Sequence, residues 1–144
     1  MDDKLLYLQN LVHLAQADQE LHPREKDCIL EVASRLGIET QTALRLMNEP
    51  LETPALPSDP LVRYSLLNDL FNLAACDGVI RDEEVIDCKN IASSLGFEAE
   101  VVDHLVESLR KHLSHGYHKN AMKALISDTL HAETVKNFSH DKYN

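Results

Sequence analysis

Apolar residues recur along this chain at three- and four-residue spacing, and proline or glycine stands where the spacing lapses. Leu5, Leu8, Leu11, Val12 and Ala15 fall on one face of a helix predicted from about Asp3 to Asp18. Pro23 suits a first helical position, because the N–H it lacks would have no partner within the helix. The helix it opens carries Ile29, Val32, Ala33 and Leu36 on its apolar face and stops at Gly37, a residue suited to a helix end. A short third helix is predicted from Glu39 to about Asn48. Residues 49–60, EPLETPALPSDP, hold four prolines. These remove backbone donors and clash inside helices, so this stretch is predicted to be an extended linker. The plan then starts again. Helices are predicted over Leu61–Cys76, over Asp82–Leu95 with Cys88, Ile91, Ala92 and Leu95 buried, and from Glu98 to about Leu113. Gly116 breaks the pattern. A seventh helix is predicted from Tyr117 to about His131, with Met122, Leu125, Ile126 and Thr129 on one side. The tail after Ala132 has no clear period and is expected to fray. No segment alternates as a strand does.

The restart is a repeat. Leu14–Ile38 (LAQADQELHPREKDCILEVASRLGI) aligns without a gap to Leu73–Phe97 (LAACDGVIRDEEVIDCKNIASSLGF), a displacement of 59 residues. Leu14/Leu73, Ala15/Ala74, Asp18/Asp77, Glu25/Glu84, Ala33/Ala92, Ser34/Ser93, Leu36/Leu95 and Gly37/Gly96 are identical pairs. A single period without insertions implies one helical unit used twice, each copy covering the apolar face of the other around a pseudo-twofold axis. The expected fold is all-α with about seven helices, a duplicated three-helix unit plus a C-terminal helix, within one domain spanning residues 1–144. Its parts are repeat one at 4–48, the Pro-rich linker at 49–60, repeat two at 61–109, and a C-terminal helix and tail at 110–144.

Composition adds little to the fold but narrows the function. Four glycines, no tryptophan and few aromatics favour helices over sheets. No apolar run approaches the roughly 18 residues of a membrane span. The start, MDDKLLYLQN, lacks the basic flank of a signal peptide, so a cytoplasmic location without a transmembrane segment is expected. The net charge is −10, unevenly spread. Residues 110–144 carry six Lys/Arg against three acids, or +3, which leaves −13 for the first 109 residues. An acidic body without basic patches repels nucleic acid and suits cations or basic partner surfaces. Three cysteines, Cys28, Cys76 and Cys88, form no CxxC motif, and an odd number argues against a disulfide framework. Cys76 and Cys88 align with Ala17 and Ile29 and should pack as small hydrophobes, whereas Cys28 aligns with Asp87 and should be more exposed. A redox role through Cys28 would require fast alkylation of the native protein.

Chemistry shared by the copies must lie in the repeated turn, where Asp18/Asp77 and Glu25/Glu84 are the only shared acids. In the second copy Asp77, Gly78, Ile80 and Glu84 match the later positions of an EF-hand calcium loop. Leu73 and Ala75 stand where that loop needs its first oxygens, so the chain has no true EF-hand. An acid at a helix C-terminus opposes the macrodipole and needs a partner. Two partners fit. One is local: Asp accepts backbone N–H bonds while Glu25 and Glu84 reach back in a capping box, half-formed because His22 and Arg81 replace the usual hydroxyl residues. The other is a divalent cation (calcium, magnesium or manganese). Asp82 and Glu83 supply extra donors in the second turn, whereas Pro23 and Arg24 tilt the first away from cations, so a single site would be the second. The candidate metal ligands are thus Asp77, Glu84, Asp82, Glu83, Asp18 and Glu25. His112, His115 and His118 cluster near the C-terminal end, with no Cys or acid to complete a site. No phosphate-binding, metalloprotease or serine-hydrolase motif appears, and no enzyme is expected.

The motif A-D-x-x-[LI]-x-x-x-E, closed by A-S-x-L-G and present twice with Cys76 replacing the alanine in the second copy, resembles the TerB-like family of tellurite-resistance proteins. It is also similar to the N-terminal domain of membrane-anchored DnaJ-type co-chaperones. The resemblance covers about residues 4–130. It implies a bacterial, all-helical, pseudo-symmetric domain linked to metal or chemical stress at the inner surface of the cell, with a protein partner that is itself membrane-associated. It also implies that Asp18, Glu25, Asp77 and Glu84 are candidate cation ligands. The chain departs from the family at Gln19, where members commonly carry glycine, and it lacks an HPD-bearing J domain. The leading expectation is a non-enzymatic stress protein whose acidic turn binds a cation. The alternative is a protein-interaction module in which the acids only shape the turn. The apolar helix faces would also suit a partner helix or a homodimer, although the core is their first use.

Overall fold

The computed structural model describes residues 3–16, 21–49 and 54–142. Seven helices make up the regular structure of those residues, with no strand among them. They are α1 Asp3–Ala15, α2 Pro23–Leu36, α3 Thr40–Asn48, α4 Pro60–Ala75, α5 Asp82–Ser94, α6 Ala99–Leu113 and α7 Lys119–Lys142. The expected extension of α1 to Asp18 falls outside the described residues.

The starts and stops follow from local chemistry. Pro23 and Pro60 open α2 and α4, and the Asp59 side chain caps α4 by accepting from the Leu61 N–H at 2.9 Å. Both repeats close their second helix alike. Gly37 donates to the Ser34 carbonyl and Ile38 to that of Ala33, and Gly96 and Phe97 repeat those bonds with Ser93 and Ala92. Gly37 takes φ +77°, which a side chain would strain.

The tail departs from expectation. Instead of fraying after Ala132, the α7 backbone runs on to Lys142. Lys119–Lys142 contains neither proline nor glycine, so nothing in the sequence stops the helix.

The buried apolar cluster draws on every helix, and α4 occupies its middle. This helix packs on α1, α2, α5 and α7. It buries Leu66, Leu67, Leu70, Phe71, Leu73, Ala74 and Ala75, apolar on nearly all sides as a surrounded helix must be. On α2, Ile29, Val32 and Ala33 are buried as predicted, and on α5 so are Cys88, Ile91 and Ala92. Leu36 and Leu95, at the helix ends, are only half-buried. On α7 the inward residues are Met122, Ile126 and Leu130.

One polar cluster crosses between the repeats. Tyr7 of α1, 3 % exposed, donates its phenolic hydrogen to Asp69 of α4 and lies 3.0 Å from the Ser65 hydroxyl. Arg35 of α2 reaches the same Asp69 carboxylate. The described part of the proline-rich stretch is held down by side chains: Asn10 donates to the Ala55 carbonyl at 3.1 Å, and Arg63 to that of Pro57.

Candidate functional site

The second repeated turn spans the six residues between α4 and α5, and its acids are partnered from within the chain. Asp77 Oδ1 accepts from the Val79 N–H at 3.1 Å, folding the turn over its own side chain. Asp77 Oδ2 accepts from Arg81 Nη1 at 2.8 Å. The Arg81 backbone N–H donates to Glu84 Oε1 at 2.9 Å, and its guanidinium lies 3.7 Å from the same oxygen. The side chains of Asp77 and Glu84 are each 2 % exposed, whereas Arg81, at 28 %, keeps one side open to water. Arginine only donates and cannot complete the reciprocal half of a capping box, so the box here is half-formed.

The first turn does better. Glu25 Oε1 accepts from the His22 N–H at 3.2 Å, while His22 Nδ1 accepts from the Arg24 N–H at 3.1 Å, and a histidine nitrogen thereby replaces the usual hydroxyl. Glu25 is as buried as Glu84. The two glutamates sense each other across the interior: burial pushes the Glu84 carboxyl up to about 8, and the charges of Glu25 and Asp77 add to it. The Arg81 N–H and guanidinium pull the other way.

Of the six sequence-predicted ligands, the fold brings Asp77, Glu84 and Glu25 into one buried neighbourhood. Asp82 and Glu83 do not join them. Both are exposed on the first turn of α5, where they complement the helix dipole. The Asp82 side chain, 90 % exposed, pairs with Arg110 of α6 at 3.1 Å. Asp18 lies outside the described residues. Among the described residues, no group of three or more His, Cys, Asp or Glu side chains is placed to hold a metal ion, and His112, His115 and His118 are all exposed.

Two arginines that sequence reasoning passed over shape the turn: Arg81 from inside and Arg110 from outside. Arg110 donates to the Ile80 carbonyl at 2.8 Å as well as to Asp82. The signal for Arg81 was present, four residues after Asp77 and three before Glu84, a spacing that suits ion pairing. Arg110 is 30 residues from Ile80 and gave no local sign.

The family model described as tellurite resistance protein TerB matches residues 1–48. The chain's first 48 residues are similar to TerB. The match falls on the first repeat, one third of the 144 residues, so the likeness of the second rests on the internal repeat. No curated protein and no solved structure matches the chain. Among the described residues, no helix is long and apolar enough to cross a membrane.

Proposed function

We propose that this TerB-like chain is a non-enzymatic protein-interaction module of the tellurite-resistance type, in which the repeated acids are internal and Arg81 is their resident cation. What supports this reading above all is the Arg81 guanidinium, 2.8 Å from Asp77 and in the position a bound metal would need. The partner is a protein, met in the cytoplasm or at the inner membrane surface as the family resemblance implies. The face offered to it is the groove between α5 and α6. Val85, Ile86 and Val106 line this groove beneath the Lys89–Asp103 pair at 2.8 Å, and Ile86 is 58 % exposed. A large apolar side chain left exposed in a groove with a charged rim suits an amphipathic partner helix or a second copy.

A second reading has an observation of its own. Two buried carboxyl groups, those of Asp77 and Glu84, share one guanidinium, and the charges of Glu25 and Asp77 add to the raised Glu84 titration. A calcium, magnesium or manganese ion could relieve it by displacing Arg81.

Calorimetric titration with those three ions and zinc separates the readings. Under the first, wild type binds none of them more tightly than an Asp77→Asn/Glu84→Gln variant, and Ile86→Glu weakens partner or self-association without lowering Tm. Saturable binding by wild type that the double variant loses would instead establish the cation site.

A further inference from the structure

Cys28 and Cys76 are 48 positions apart in sequence but meet in the fold. Cys28 lies on α2, half-buried, and Cys76 caps the end of α4, buried. The two thiols are neighbours on one cavity wall, and each is the largest influence on the other's titration. Cys76 favours the thiolate of Cys28 and lowers its titration, against the opposing effect of burial. Cys88, buried on α5, stands apart.

Both thiols line one cavity of about 640 Å³. Its wall carries Arg24, Arg35, Lys119 and Lys123 against Asp27 and Glu31, four basic side chains to two acidic, on a chain whose net charge is −10. Lys119 and Lys123 share a single carboxylate, that of Glu31, at 3.2 and 3.9 Å, and with Arg35 paired to Asp69 this leaves one positive charge in surplus. A cavity of this sign and size attracts a small anion to the two thiols on its wall.

We propose that Cys28 and Cys76 form a redox-active dithiol that closes to an intramolecular disulfide by exchange with a small anionic disulfide admitted to this cavity. Cys28, the more accessible of the two, is the attacking group. Its thiolate bonds to one sulfur of the incoming disulfide and expels the other half as a thiolate, which takes up the Cys28 proton. Cys76 then loses its proton and attacks Cys28 Sγ, and the second small thiol leaves carrying that proton. One external disulfide is reduced to two thiols, and two protein thiols are oxidised to one disulfide. The new bond staples α2 to the end of α4, directly before Asp77.

The experiment uses the full reduced chain and oxidised glutathione, followed by acid quench, denaturation, alkylation and mass analysis. The expected product has lost two hydrogens, retains Cys88 as its one alkylatable cysteine, and yields a Cys28–Cys76 linked peptide. Cys76→Ser should stop at a persistent glutathione adduct on Cys28, and Cys28→Ser should form no linkage. Lys119→Glu/Lys123→Glu should slow closure several-fold with oxidised glutathione but not with the neutral bis(2-hydroxyethyl) disulfide. Three alkylatable cysteines after treatment, a glutathione adduct that persists on wild type, or a linkage to Cys88 would each overturn the dithiol. Equal slowing, or none, with both disulfides would overturn the assignment of an anionic oxidant.

Discussion

Arg81→Gln is expected to destabilise the fold by about 2–3 kcal/mol, because it leaves the Asp77 carboxylate buried with only the Val79 N–H to answer it. Removing one partner of a buried ion pair commonly costs about 3–5 kcal/mol. The lower figure applies here because Arg81 is 28 % exposed and water can partly replace it. Protonation of Glu84 also spares the site a second bare charge near neutral pH. For a chain of this size the loss corresponds to a fall in Tm of roughly 6–12 °C. The same variant opens the place the guanidinium fills. Millimolar calcium or manganese should therefore recover part of the lost Tm in Arg81→Gln while leaving wild type unmoved. A variant with wild-type Tm would show that the guanidinium does not neutralise the turn, and the internal-cation reading would fail with it.

Glu84 should make the chain less stable as the solution becomes alkaline. Its carboxyl titrates at about 8 in the folded protein against an ordinary 4.5, raised first by burial and then by the neighbouring acids. Between those values the folded state holds a proton that the unfolded state has released, so raising the pH favours unfolding. The contribution is complete below about pH 4.5, declines through the window by at most about 1.4 kcal/mol per pH unit, and levels off above about 8. Denaturant unfolding at pH 5 and pH 9 should therefore show wild type losing about 2–4 kcal/mol more than Glu84→Gln over that interval. Glutamine keeps an oxygen for the Arg81 N–H but carries no charge, so its profile should be the flatter one. Parallel profiles would mean that Glu84 is solvated well enough to ionise normally.

The helices were legible because their causes are local. Periodic leucines, Pro23 as an opener and Gly37 as a stop act within a turn or two of chain, and the observed bounds of α2 to α6 lie within a residue of the reading. The exception, α7, shows the limit of periodicity. Beyond Ala132 there is little apolar face to detect, yet nothing forbids helix either, and the backbone continues to Lys142. The site was legible in its residue types and not in its partnering. Sequence placed Asp77 and Glu84 at the two ends of one turn, and it grouped Asp82 and Glu83 with them because these two directly precede Glu84. At a helix start, however, successive side chains splay in different directions, so Glu84 turns inward and Asp82 outward to Arg110. The approach of Glu25 to Glu84 and of Cys28 to Cys76 joins one repeat to the other, a matter of tertiary packing that no local pattern encodes.

The Tyr7–Asp69–Arg35 cluster has a bearing on cooperativity. Tyr7 and Arg35 belong to the first repeat, Asp69 and Ser65 to the second, so neither half can complete the cluster alone. Residues 1–48, the segment the family model recognises, would by themselves leave a phenol and the apolar face around it open to water. The recognised segment is thus smaller than the unit that folds. Joining the two halves in one chain serves chiefly to keep each at high effective concentration for the other, with Asp69 fixing the single register in which they close.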